Sequence, residues 1–98
     1  MSGAFAGRLP LLLPRGGGWC VYLLRCGSGA LYCGISNRPE ARFAAHRSGR
    51  GAKFTRMNPP EEMRLVYLDL SRSEAARMEP RIKRLSAVQK RLLWDELA

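Results

Sequence analysis

The chain has 98 residues, room for one small domain and not for two, and its 46% hydrophobic, 26% charged composition supports a packed core rather than wholesale disorder. Lys plus Arg number 17 against 8 for Asp plus Glu, a formal net charge of +9, and 14 of the cations are Arg, whose planar fork matches phosphate geometry. Such an excess repels itself in the folded state, which points to a polyanionic partner, nucleic acid first; a charge carried for solubility is the plainer alternative.

Residues 1–18 contain no acid, and their apolar stretch from Leu9 to Pro14 is far shorter than the ~20 residues of a membrane span, so no membrane partner is expected. Pro at both ends of that stretch also disfavours a signal peptide. The segment reads as a flexible tail, or as residues ahead of the true start, and Gly16-Gly17-Gly18 marks where the folded domain, residues 19–98, begins. Trp19 to Cys26 is aromatic and aliphatic without helical spacing, a strand; Gly27-Ser28-Gly29 is a turn, and Ala30 to Ile35 is the returning strand of a hairpin. Cys20, Cys26 and Cys33 form an odd set with no CxxC spacing, which argues against a disulfide scaffold and for a reducing, cytoplasmic setting. Cys20 and Cys26, six residues apart in one strand at ~3.3 Å per residue, are too distant to share a zinc ion.

Asn37-Arg38-Pro39-Glu40 predicts a helix start, with Asn37 as N-cap and Glu40 as the capping-box acid, running to about Ser48 and stopping at Gly49. Arg50 to Glu62, with Gly51 and Pro59-Pro60 among basic residues, reads as a loop, and Arg64 to Leu70 as the third strand. Ser71 with Glu74 caps the next helix, whose apolar positions Ala75, Met78, Ile82 and Leu85 follow 3.6-residue spacing. Ser86 with Gln89 caps a last helix that buries some of Val88, Leu92 and Leu93. The expected order is β-β-α-β-α-α: an α/β (α+β) domain with a three-stranded, largely antiparallel sheet flanked by helices.

If Cys26 pairs with Ala30 across the turn, Tyr22 faces Gly34 and Leu24 faces Tyr32, so the two tyrosines become diagonal neighbours on one face. Gly34 then leaves a recess beside the two phenols. Arg42 and His46, four residues apart, project from one helix face. A guanidinium to stabilise a pentacovalent phosphate, with phenols and an imidazole to move a proton, suits phosphodiester chemistry; sheet packing and a solvated helix face are the plainer alternatives. Glu79 borders the stripe Ala75-Met78-Ile82 in a basic segment. It either pairs with Arg77 or Lys83 or holds one divalent cation, since Mg²⁺ is commonly bound by one carboxylate together with waters and phosphate oxygens.

Val21-Tyr22 followed by Tyr32-Cys33-Gly34 resembles the paired signatures of the GIY-YIG nuclease superfamily, and Arg42, His46 and Glu79 fall where that pattern has its other polar residues. With Asn37, Gly51-Ala52-Lys53 and Ile82 to Ser86, the chain looks like the small stand-alone bacterial branch, over roughly residues 19–92. The resemblance implies a metal-dependent DNA endonuclease that acts in DNA repair or processing and leaves a 5′-phosphate and a 3′-hydroxyl. It makes Tyr22 the general base and Tyr32 its neighbour that positions water or phosphate. Arg42 becomes the contact to the scissile phosphate, His46 the aid to proton transfer, and Glu79 the ligand of one Mg²⁺ or Mn²⁺ ion. Three departures stand out: Cys20 for the first glycine, Cys33 for isoleucine, and no asparagine from Ser86 to Ala98. Pro80 also biases Glu79 away from helical angles, toward a kink or a helix start.

Arg38, Arg47, Arg50, Lys53 and Arg56, with Lys83 beyond, make a basic face for a phosphate backbone, and Phe54 either stacks on an unpaired base or anchors the core. No helix-turn-helix or zinc-finger pattern is present, so shape or branching rather than base sequence is the expected selector, with branched or single-stranded DNA as partner. The competing expectation is a binding module on the same fold that does not cleave, or cleaves only with a partner protein.

Overall fold

The computed structural model describes residues 9–97. The elements run β1 (Trp19–Cys26), β2 (Leu31–Ser36), α1 (Pro39–Arg47), α2 (Lys53–Met57), β3 (Pro60–Leu70), α3 (Arg72–Lys83) and α4 (Ala87–Glu96). Both strand pairings are antiparallel, in the order β2-β1-β3. β1 is central, and six of its eight residues are buried, which is why its sequence is a continuous apolar run rather than an alternating one. Cys26 N–H donates to Ala30 across the hairpin at 2.9 Å, and the register sets Tyr22 opposite Gly34 and Leu24 opposite Tyr32, as expected.

Val21, Leu23 and Cys33 pack with Ala75, Met78 and Ile82 of α3 and Leu93 of α4 in one apolar cluster. Each of Val21, Leu23, Met78, Ile82 and Leu93 contributes roughly 1.5–3 kcal/mol by leaving water. α3 and α4 both begin with the expected reciprocal capping boxes, Ser71 with Glu74 and Ser86 with Gln89. Of Val88, Leu92 and Leu93, only Leu93 is buried.

Five expectations are corrected. The N-cap of α1 is Arg38, not Asn37; Ser36 Oγ instead accepts the Arg38 N–H at 2.9 Å, because Pro39 already fixes the first helical residue. The segment 50–62 is not all loop: Lys53–Met57 forms α2 without a side-chain cap, so it lacks the signature that marks α3 and α4. β3 begins at Pro60, four residues before Arg64, with Cys26 and Pro60 paired at the sheet's end. Pro80 lies inside α3 and neither breaks it nor starts it. Buried Met78 and Ile82, one turn apart on either side of Pro80, hold both turns against the sheet and offset the lost hydrogen bond.

The fifth concerns the tail. Residues 1–8 lie outside the described residues, but residues 9–18 are laid against β3. Leu9 joins the core, the Tyr67 hydroxyl donates to the Pro10 carbonyl, and Asp69 accepts from Gly16 N–H at 3.2 Å and Gly18 N–H at 2.7 Å. Asp69 sits at φ 57, next to the register slip between Trp19 and Val21, which turns its carboxylate toward the glycines.

Candidate active site

Tyr22 stands on the face of β1 opposite to Val21 and Leu23 and is 1% exposed. A Cβ on Gly34 would fall within its ring, so the expected recess over Gly34 is filled by the Tyr22 phenol itself. Glycine there is a requirement of space.

The Tyr22 hydroxyl is 3.0 Å from His46 Nε2, and His46 Nδ1 is 2.7 Å from Thr55 Oγ1, which donates onward to the Ala52 carbonyl at 2.9 Å. His46 and Thr55 are both 0% exposed. The single histidine is therefore no surface residue. It is the only buried residue of α1, whose other side chains need not face the sheet. Thr55 is likewise the only buried residue of α2. Gly51 lets the chain pass this close, since a Cβ there would strike the imidazole at Nδ1.

Arg42, one turn before His46 on α1, is exposed, and its cation favours the ionised form of the Tyr22 phenol. Burial nevertheless dominates and pushes the Tyr22 pKa up to about 12, with Arg42 opposing that rise. Burial first, and the Arg42 charge second, lower the His46 pKa below 6.5. The two shifts act together: both partners are neutral near pH 7.

Tyr32 is half-buried and extends the site toward α3. Its ring meets the His46 edge at 5.6 Å, stacks on Phe54 at 5.9 Å with 13° between planes, and carries Lys83 Nζ 5.6 Å from its centroid. Lys83 in turn pairs with Glu79 at 3.5 Å. Phe54 is 40% exposed, so it does not anchor the core; one face covers Tyr32 and the rest meets solvent. Tyr22, His46, Tyr32, Lys83 and Glu79 thus form one contiguous chain of contacts across β1, β2, α1 and α3, with Arg42 one turn before His46. Cys33, beside them in β2, is buried, and burial holds its thiol up to about 12, so it is an inert packing group where the signature has isoleucine.

The remaining cations stay at the surface. Arg38, Arg47, Arg50, Lys53 and Arg56 are all exposed, Arg47 rests over the Phe43 ring at 5.7 Å, and Arg50 Nε reaches Ser48 Oγ at 3.0 Å. Among the described residues no three His, Cys, Asp or Glu side chains converge on a metal site, so Glu79 is a lone carboxylate. Thr55 was missed by sequence reasoning, hidden in a basic segment whose helix has no cap. Its one signal is that it alone among Lys53 to Met57 is an uncharged hydrogen-bonding residue.

The model of the GIY-YIG catalytic domain matches residues 18–91. A UPF0213 protein of Neisseria meningitidis serogroup C is 47% identical over 78 residues, 80% of this chain and 86% of that protein. A UPF0213 protein of Vibrio cholerae is 48% identical over 82 residues, 82% of this chain and 80% of its own length. One from Nitratidesulfovibrio vulgaris is 47% identical over 72 residues, 74% of this chain and 66% of its own. No solved structure matches. No helix among the described residues is long and apolar enough to cross a membrane. With the match spanning most of the chain and the tyrosine, arginine, histidine and glutamate positions drawn into one site, the chain belongs to the GIY-YIG family, whose domain implies a nuclease fold and a DNA substrate.

Proposed function

We propose that this protein is a divalent-metal-dependent DNA endonuclease that hydrolyses phosphodiester bonds, selecting its substrate by structure rather than base sequence, in DNA repair or processing within the cytoplasm. The single observation that carries the proposal is the buried hydrogen bond between Tyr22 and His46, with Arg42 one turn before His46 on the same helix. With a pKa of about 12, a standing Tyr22 phenolate at pH 7 amounts to on the order of one molecule in 10⁵, so the phenol works as a conduit rather than as a pre-ionised base. As water gives a proton to the Tyr22 oxygen, the Tyr22 O–H bond breaks and His46 Nε2 takes that proton with its lone pair. The water oxygen bonds to phosphorus, the bond from phosphorus to the 3′ oxygen breaks, and that oxygen takes a proton from solvent. The products are a 5′-phosphate and a 3′-hydroxyl. Afterwards His46 returns its proton through Tyr22.

Arg42, exposed one turn before His46, binds the scissile phosphate and stabilises the charge of the pentacovalent state. Tyr32 positions the phosphate or the water. Arg38, Arg47, Arg50, Lys53, Arg56 and Lys83 contact the backbone, and the exposed side of Phe54 stacks on an unpaired base in branched or single-stranded DNA.

The donor set at Glu79 fits Mg²⁺ or Mn²⁺: one half-buried carboxylate, with the other positions left to water and phosphate oxygens. When bound, such an ion supplies Lewis-acid polarisation of the phosphate. Glu79 would hold such an ion, and Lys83, which pairs with that carboxylate at 3.5 Å, would be available to a DNA phosphate.

The test is purified protein with labelled single-stranded, flapped, branched and duplex DNA, with Mg²⁺ or Mn²⁺ and with EDTA. Glu79→Ala runs alongside to exclude a contaminating nuclease. Metal-dependent cleavage that is lost in Glu79→Ala while binding remains is the expected outcome. Tight binding without cleavage of any substrate would favour the alternative, a binding module that is silent or needs a partner protein. The absence of asparagine from Ser86 to Ala98 would then be the first place to look.

A further inference from the structure

We propose that Thr55 is a positioning residue that fixes the single histidine in its Nδ1–H tautomer, so that the Nε2 lone pair always faces the Tyr22 hydroxyl. The inference rests on the endonuclease reading only for its consequence in catalysis; the tautomer itself is a property of the folded chain.

Proton counting along the buried row carries it. A neutral imidazole has one N–H donor and one acceptor nitrogen, and which is which depends on its two neighbours. On the Thr55 side, the hydroxyl has one proton, and it lies 2.9 Å from the Ala52 carbonyl, the usual backbone acceptor of a threonine on the first turn of a helix. With that proton committed, Oγ1 presents a lone pair to Nδ1 at 2.7 Å, so Nδ1 is the donor. A neutral ring protonated at Nδ1 keeps its lone pair on Nε2, and the Tyr22 hydroxyl at 3.0 Å is then the donor.

Position within the fold gives the same answer. Thr55 is the sole residue of α2 turned inward, and what it meets there is a nitrogen of the imidazole rather than the apolar cluster. Gly51, just before α2, leaves no Cβ between the backbone and Nδ1. A short helix whose one fully buried residue is a threonine, with Phe54 only laid over Tyr32, adds little to the apolar core.

Because the chain has one histidine, its imidazole nitrogens are the only ones in the ¹⁵N spectrum. The full-length protein, measured above neutral pH, should show a protonated Nδ1 and an unprotonated Nε2. Thr55→Val keeps the shape and removes the acceptor, and should shift the ring to a tautomer mixture or to Nε2–H; Thr55→Ser should retain the original pattern. On DNA that the wild type cleaves, Thr55→Val should lower the rate by about 10–100-fold with binding unchanged, and Thr55→Ser should restore it. A wild-type spectrum with Nε2 protonated would overturn the proposal, as would an unchanged tautomer in folded Thr55→Val. The wild-type spectrum decides even if Thr55→Val fails to fold. It also decides if no substrate is ever cleaved, which separates failure of this proposal from failure of the nuclease reading.

Discussion

On one face of β1, Val21 and Leu23 meet Ala75, Met78 and Ile82; on the other, Tyr22 meets His46, and His46 meets Thr55. Both faces are buried in the free protein, yet one is held by area and the other by directed hydrogen bonds. The apolar face tolerates exchange among similar shapes, since burial is non-directional. The polar face tolerates little, because each buried donor or acceptor left alone costs about 1–3 kcal/mol. A small domain with only a modest core does not carry three buried polar side chains in a row for stability when apolar residues of the same volume would pack as well. The difference between the faces is the argument that the Tyr22–His46–Thr55 row exists for chemistry.

The comparison breaks first, and by the largest amount, under substitution on the apolar face. Ile82→Ala should cost about 2–5 kcal/mol in a denaturant titration, and cleavage by the remaining folded protein should keep its wild-type metal dependence. On the polar face, Gly51→Ala should cost about 1–3 kcal/mol, because the new Cβ strikes His46 Nδ1 and displaces the ring. Here the loss of cleavage should exceed what the loss of stability explains, which thermal melts and rate measurements on one preparation would check.

A third expectation concerns pH. His46 is faced by the Tyr22 phenol from β1, the Tyr32 ring from β2, the Thr55 hydroxyl from α2 and the Arg42 charge from its own helix. Burial, then Arg42, lowers its folded pKa below 6.5. The unfolded chain takes up its proton near 6.5 and the folded chain only at lower pH. The stability from the neutral ring is therefore complete above about pH 6.5 and is lost as pH falls from there toward the folded pKa. NMR titration of the lone imidazole should give a value below 6.5, and thermal stability should decline over the same range; a folded value at or above 6.5 would deny the buried, Arg42-flanked ring. The smallest effect on the fold belongs to the surface. Arg50→Ala with Lys53→Ala should leave stability within about 0.5 kcal/mol, while reducing the slope of log affinity for duplex DNA against log salt by up to ~1.8.

What was legible in the chain follows the same division. β1, β2, α3 and α4 announce themselves through apolar runs, helical spacing and two capping boxes, each a local pattern. The pairing of Tyr22 with Gly34 followed from one turn and a period of two. α2 did not announce itself, because it is one uncapped turn of basic residues, and neither did the burial of His46, since α1 turns only that residue fully inward. Asn37 looked like a cap because its type is right, but Pro39 and the Ser36 hydroxyl settle the helix start one residue later. Thr55 lies nine residues from His46 and thirty-three from Tyr22, and no periodicity links residues brought together by a loop crossing a sheet face. The run Leu9 to Pro14 was readable as apolar, but its partner, the edge at Val66 to Leu68, was visible only in three dimensions.

The central claim is that the buried Tyr22 hydroxyl moves the proton in phosphodiester cleavage, and replacing that one oxygen tests it most directly. Tyr22→Phe keeps the ring over Gly34 and removes only the hydroxyl, so melting temperature and DNA affinity give the controls. With Mg²⁺ or Mn²⁺ and the best DNA from the substrate panel, the account predicts a single-turnover rate about 10²–10⁴-fold below wild type, with affinity unchanged within about twofold. A Tyr22→Phe protein that cleaves at the wild-type rate would contradict the account, and the buried row would then be a packing device rather than a proton path.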